Sequence, residues 1–360
     1  MLQHPAIMDN YASLHQHDGD SLSLMMEKEC ATYACRDYLN QGDNNDCNES
    51  LLCHHKGEKI TPDGRMKIVD WCYDIVDQCQ FDRESVAVAM DIVDRFMSIQ
   101  GPQCTLYHRG QYQLLAMTAL YISIKIKERV IFSSEDFSAA SHGMYSTEEI
   151  ESMELTILHG LKWRLCCPTA LQVGCQILEL MVPQVHGVNV RVESSTWDFI
   201  REELAFQTEN AVRGYYFTTQ RSSTVAVVAI MNAIVQVNDS DYELLMNALL
   251  CVLNKFAFDL PCVLFDTMDQ LRCLMKENEE SGVNVPETTR RLLNEPTLEE
   301  AHGVCGKACN CSTMISSNRT QDKLEETMSN INKSSPGSLP TRSYSGACTE
   351  EDDNSCTTVY

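Results

Sequence analysis

Between Asp63 and Trp163, apolar residues return at intervals of three and four. Ile68, Trp71, Cys72, Ile75 and Val76 share one helical face in DGRMKIVDWCYDIV, and Val86, Ala89, Met90, Val93, Phe96 and Met97 share another in ESVAVAMDIVDRFMSIQ. No strand-like alternation replaces this spacing, so both read as amphipathic helices. The third segment, Leu114 to Ile126, is apolar nearly all the way round, as in a helix enclosed by others. It is predicted to be the axle of a bundle. SSEDF, from Ser133 to Phe137, opens a short fourth helix. Ser146 or Thr147, followed by Glu148 and Glu149, opens a fifth that ends near Gly160, a residue able to take a left-handed turn. Pro62 and Asp63 suit the start of the first helix, with Asp63 the expected cap for Gly64 to Cys79.

Pro168 opens a second run of five helical segments: PTALQVGCQILELMV, TWDFIREELAFQTENAVRGYYF, SSTVAVVAIMNAIV, DSDYELLMNALLCVL and CVLFDTMDQLRCLM. The fold class is therefore all-α, two tandem five-helix folds over 61–166 and 167–281. Residues 1–20 are polar, His-rich and without periodicity, and Asn, Ser, Thr, Glu and Pro dominate 282–360. Both extensions are expected to be disordered. Within 21–60, SLSLMMEKECATYACRDYLN forms a leading helix from Ser21 to Asn40, with Leu24, Met25, Ala31, Cys35 and Leu39 as its buried positions, and an Asn- and Asp-rich linker follows.

Length and charge narrow the function. A chain of 360 residues holds two modest cores with tails, domains running to about 100 to 150 residues. A net charge of -23 without a basic cluster speaks against direct nucleic-acid binding, which draws on Lys and Arg. The first twenty residues show no cationic and apolar leader, and no apolar run has the length of a membrane span, so no membrane role is expected. In such a chain the eighteen cysteines read as reduced thiols. Cys72, Cys166, Cys175 and Cys251 stand among apolar residues, where a thiol acts as a small hydrophobe and fills a core.

Four words in order, RMKIVDW, VDRF, ALYISIKIKE and EEIESMELTILHGLKWRL, resemble the cyclin box, and their wording is most similar to D-type cyclins. The resemblance implies two stacked cyclin folds and a leading helix. It also implies a partner, a cyclin-dependent serine/threonine kinase, that this chain binds and activates in cell-cycle control. On this reading the chain is a regulatory subunit and not an enzyme, needs no cofactor and holds no metal. It is expected in nucleus and cytoplasm, the nuclear part being inherited from the family.

Charges lodged in apolar helices are the candidate site residues, because a buried charge is costly unless paired. Arg65 and Asp94 read as a structural salt bridge, and the resemblance also makes them an internal pair that supports the box, with Leu114 a packing position. Lys125 and Glu154, taken alone, read equally as solvated helix charges. The resemblance instead places them at one edge, where ammonium and carboxylate serve the carbonyls and N–H groups of the kinase backbone. It adds apolar contact from Ile126, Leu158 and Trp163, although Trp163 reads equally as core. Ser123 stands where the family has Ala. A patch on the first helix that in some cyclins docks substrates or inhibitors is represented by Ile68, Trp71, Asp74 and Gln113. Gly64 and Lys67 replace its usual apolar Met and Ile.

Several short words remain. RDYLNQGDN, Arg36 to Asn44, fits the destruction-box pattern, but a helix is the stronger reading of that stretch. LLCHH, Leu51 to His55, has His55 where the retinoblastoma-docking word needs a carboxylate, and docking is not expected. Ser335-Pro336 and Thr61-Pro62 are proline-directed phosphorylation words. His302, Cys305, Cys309 and Cys311 offer zinc ligands without the paired CxxC units of structural sites. No glycine-rich phosphate loop, HExxH or nucleophile elbow supports an enzyme. The rival reading is a cyclin-fold scaffold of the transcription machinery that activates no kinase.

Overall fold

A computed structural model describes residues 20–30, 33–40, 59–100, 106, 108–128, 133–140, 143–186, 192–258 and 264–280. Regular structure among these is helical throughout, apart from a single bridge between Lys59 and His108. No described helix is long and apolar enough to cross a membrane.

Helix α1 covers 20–30. The first bundle follows with α2 (Pro62–Cys79), α3 (Glu84–Ser98), α4 (Arg109–Lys127), α5 (Ser134–Ala140) and α6 (Thr147–Gly160). Every residue of α4 from Leu114 to Ile124 is buried, and α2, α3, α5 and α6 all pack on it. It is the axle that its uniform apolarity predicts. The second bundle consists of α7 (Ala170–His186), α8 (Ser194–Arg213), a 3-10 turn (Tyr215–Thr219), α9 (Ser222–Val235), α10 (Asp239–Lys255) and α11 (Leu264–Glu280). There α9 is the enclosed member, buried from Ser223 to Ile234.

Several local expectations are corrected. Thr61, not Asp63, caps α2: its hydroxyl accepts from Gly64 N–H at 3.1 Å, and Pro62 takes the first helical position, where no N–H is needed. Ser146, one of the two expected starts of α6, does cap it, in a reciprocal box: it accepts from Glu149 N–H while its own N–H donates to Glu149 Oε2 at 2.8 Å. Gly160 does not take a left-handed turn. It is the last helical residue, and a Cβ there would overlap the Phe96 ring, so glycine is required for close approach of α6 to α3. Core filling accounts for Cys72 alone among the four cysteines singled out, since Cys175 is half-buried and Cys166 and Cys251 are exposed.

The leading helix is also shorter than expected. Residues 33–40 are not helical, and Leu24 is exposed while Leu22 is buried. The buried residue of this stretch is Tyr38, 2% exposed, whose ring enters the core of the first bundle. Helix α1 meanwhile meets the second bundle: buried Glu29 accepts from the backbone N–H of Ser223 at 2.9 Å and from its hydroxyl, capping the first turn of α9. Burial raises the Glu29 pKa, and the Ser223 hydrogen bonds oppose that rise.

Candidate functional site

Charged helix positions form two constellations. In the interior, the Arg65 guanidinium grips Asp94 with two bonds, Nε to Oδ1 at 3.0 Å and Nη2 to Oδ2 at 2.6 Å. Arg65 Nη1 donates to the carbonyls of Val212 and Arg213 at the end of α8, at 2.8 and 3.2 Å. Tyr38 Oη donates to Asp94 Oδ1 at 2.8 Å and lies 3.1 Å from Tyr112 Oη. Burial works against the Arg65 charge, but the Asp94 carboxylate outweighs it and holds the guanidinium pKa above its usual value. This cluster binds α2 to α3, and both to α8 and the 33–40 segment. Leu114 is buried, and its carbonyl accepts from Thr118 Oγ1 at 2.8 Å. Ser123 is equally buried, and its hydroxyl donates to the Ser85 carbonyl in the first turn of α3 at 2.7 Å, which satisfies the polar group where helices press together.

The second constellation lies where the last turn of α4 meets α6. Lys125 Nζ donates to Glu154 Oε1 at 2.6 Å and sits 4.5 Å from the centre of the Tyr121 ring. The Lys125 side chain stays 43% exposed and that of Glu154 16%. Burial lowers the lysine pKa, but the Glu154 bond and charge raise it further, so the ammonium is held above its ordinary value. A lysine in the last turn also complements the partial negative charge of the helix end.

Ile126 and Leu155, next in sequence to Lys125 and Glu154, are exposed apolar groups at 43% and 54%, and Trp163, after α6, is 65% exposed. Leu155 escapes the reading by motif, yet a signal was present. Ile150 and Ile157 mark the buried stripe of α6, and Leu155 falls out of phase with it. Leu158, expected beside Lys125 and Glu154 as a contact, is instead buried, because it continues the inward stripe of Ile150 and Ile157. Trp163 is surface and not core. Lys162 and Trp163 both have positive φ, 53° and 62°, which turns the chain sharply after α6. Two anchors pin that turn: Trp163 N–H donates to the Leu158 carbonyl at 2.9 Å, and Arg95 Nη1 donates to the Arg164 carbonyl at 2.9 Å.

The residues of the docking patch divide, Ile68, Trp71 and Asp74 lying on α2 and Gln113 on α4. Ile68 is buried, Trp71 and Gln113 are half-buried, and Asp74 is exposed. Lys67 is tied to Asp63 at 2.8 Å, and Ile60 packs against Gly64. Among the described residues no cluster of three or more His, Cys, Asp or Glu suits a metal ion. His302, Cys305, Cys309, Cys311, the LLCHH word, Asn44 and Ser335-Pro336 lie outside the described residues.

Comparison with known proteins bears on the same stretch. Residues 34–166 match the model of the cyclin N-terminal domain. Over 131 residues the chain is 30% identical to a G1/S-specific cyclin-D of Caenorhabditis elegans, covering 36% of this chain and 31% of that one. Over 115 residues it is 31% identical to a G2/mitotic-specific cyclin-B2 of Rana japonica, covering 32% and 28%. The chain thus spans about a third of the length of the curated relatives it matches. Equal likeness to D- and B-type relatives does not single out the D subtype. A viral cyclin from herpesvirus saimiri aligns with a TM-score of 0.46 at 15% identity, over 61% of this chain and 87% of that one. Motif order, helix order and the matched domain coincide over 34–166: this stretch carries a cyclin N-terminal domain.

Proposed function

We propose that this chain is the regulatory subunit of a cyclin-dependent serine/threonine kinase and activates it in the control of cell division. The observation that carries the reading is the Lys125–Glu154 pair, joined at 2.6 Å at the rim of a closed apolar bundle with its ammonium still accessible. An ammonium offers donors to backbone carbonyls, and a carboxylate offers acceptors to backbone N–H groups. Together they grip a loop and a helix end whatever side chains these carry. Ile126, Leu155 and Trp163 add the apolar surface that an interface core requires. In this reading the chain contributes no reacting group. It holds the regulatory helix of the kinase so that the kinase assembles its own ion pair and metal site. Nucleus and cytoplasm are the compartments such a subunit would occupy.

The test is a pull-down with a histone-kinase assay, comparing wild type with Lys125→Glu plus Glu154→Lys. The exchange keeps an ion pair between α4 and α6 and so preserves the bundle, but presents each partner group with the wrong charge. Kinase recovery should fall at least about tenfold, the ratio that corresponds to losing roughly one charged interface bond. Undiminished recovery by the folded double variant refutes the assignment.

A further inference from the structure

Two groups hold the Lys125 ammonium, and a partner can draw away only one of them. Glu154 comes from α6, and in the reading above its carboxylate is offered to N–H groups of the kinase. Tyr121 comes from α4 itself, one turn before Lys125, so the two side chains share a face of that helix. We infer that Tyr121 is a positioning residue, whose ring is the seat that keeps the Lys125 ammonium at the rim when the Glu154 carboxylate turns to a partner. The inference rests on the proposed kinase-binding role of the pair and adds the group that readies the lysine beforehand.

The ammonium lies 4.5 Å from the centre of the Tyr121 ring, where the negative face of the π system attracts a cation. Tyr121 is 7% exposed, and its ring is braced by Phe137 of α5, with 5.2 Å between centroids and 57° between planes. Buried and braced, the ring cannot follow a partner. Burial lowers the lysine pKa, Glu154 then raises it, and Tyr121 raises it further, so carboxylate and tyrosine act in the same direction. A long lysine side chain loses many rotamers when an interface orders it, and a seat that holds it in advance lessens that loss on binding. Since a ring face makes the seat, phenylalanine should largely serve in its place and leucine should not.

The test is a binding cycle on the full chain. The cyclin-dependent kinase that wild type recovers, identified by mass spectrometry and purified, is titrated with wild type, Tyr121→Leu, Tyr121→Phe, Lys125→Met and the double variant Tyr121→Leu plus Lys125→Met. Affinity should fall about threefold to fivefold in Tyr121→Leu and stay within about twofold of wild type in Tyr121→Phe. Adding Tyr121→Leu to Lys125→Met should cause no further loss, because the ring acts through the lysine. In the free chain, acylation of Lys125 by an amine-reactive ester, read by mass spectrometry against exposed Lys162, should quicken about twofold or more in Tyr121→Leu. If Tyr121→Leu does not fold, Tyr121→Met, whose unbranched side chain adapts to the site, takes its place in every arm.

A loss of the same size with and without Lys125 shows that the ring acts by packing, and overturns the seat. Full affinity in Tyr121→Leu while Lys125→Met binds weakly overturns it as well, as does unchanged acylation in the free chain. If wild type recovers no such kinase, or Lys125→Met binds it as wild type does, the interface reading itself fails and the part of Tyr121 in it falls too. The acylation arm needs no kinase, so the two failures are told apart.

Discussion

Removing one member of the interior cluster should cost more than any other single change in the first bundle. Asp94→Ala deletes the acceptor of two charge-assisted bonds from Arg65, at 3.0 and 2.6 Å, and of one from Tyr38 at 2.8 Å. Arg65 is 2% exposed, so its guanidinium cannot turn to water. It keeps only the two α8 carbonyls. Stranding one buried charge in this way costs about 3 to 5 kcal/mol. Folded domains carry about 5 to 15 kcal/mol in all, so the variant loses a large share of its stability. With a urea slope of about 2 to 3 kcal/mol per molar, the unfolding midpoint should fall by about 1 to 2.5 M. Helical circular dichroism against urea measures this directly. The double variant Arg65→Leu plus Asp94→Leu removes both charges and should recover about half of the loss, because two apolar groups replace a pair that was itself costly to bury. Recovery stays incomplete because the Val212 and Arg213 carbonyls lose the Arg65 donor and the Tyr38 hydroxyl loses one of its acceptors. A cost below about 1 kcal/mol for Asp94→Ala, or a double variant as unstable as the sum of the singles, would refute the account of a stranded charge.

Three further outcomes follow from local geometry. Gly160→Ala should destabilise by about 1 to 3 kcal/mol through overlap with Phe96, and adding Phe96→Leu should restore much of it, as thermal unfolding of the three variants will show. Thiol alkylation at pH 8 should label exposed Cys79, Cys166 and Cys251 within minutes and spare Cys35 and Cys72, whose thiols burial pushes up to about 12; mass spectrometry before and after denaturation separates the sets. For Glu29, burial raises the folded pKa above the ordinary 4.5, so the folded state binds its proton more tightly and the resulting stability is present below 4.5 and lost as pH rises through the folded value. The stability of wild type relative to Glu29→Gln should therefore decline between pH 4.5 and neutrality, and a difference in urea midpoints that grows over that range would contradict the sign.

What could be read from the chain was what it encodes locally. Helices α2 and α3 announce themselves by apolar stripes, α4 by apolarity all round and α5 and α6 by their opening polar residues, and Arg65 and Asp94 stand out as charges within apolar helices. The remaining errors share a physical origin. Tyr38 bonds to groups 56 and 177 positions away, on Asp94 and Tyr215, so nothing nearby in sequence reveals why 33–40 leaves the helix. Helix propensity favoured continuing α1, and tertiary bonds won. Gly160 shows the opposite ambiguity: glycine serves a left-handed turn and a close approach alike, and only the position of Phe96 decides between them. Lys125 and Glu154 were legible as charges, but their meeting depends on the packing of α4 against α6, and Leu155 was legible only as an apolar residue out of phase.

The turn after α6 connects these two scales. Consecutive left-handed residues without glycine cost about 1 to 2 kcal/mol each, and such strain persists only where surrounding structure enforces it. Here the enforcement comes from α3. Phe96 presses against Gly160, and Arg95, 4% exposed, holds the Arg164 carbonyl on the far side of the turn. Asp91 in turn fixes Arg95, Nε to Oδ2 at 2.7 Å. One buried face of α3 thus holds the turn that carries the exposed Trp163. In the proposed interface, the place of Trp163 is set by buried residues of α3 that no partner would touch.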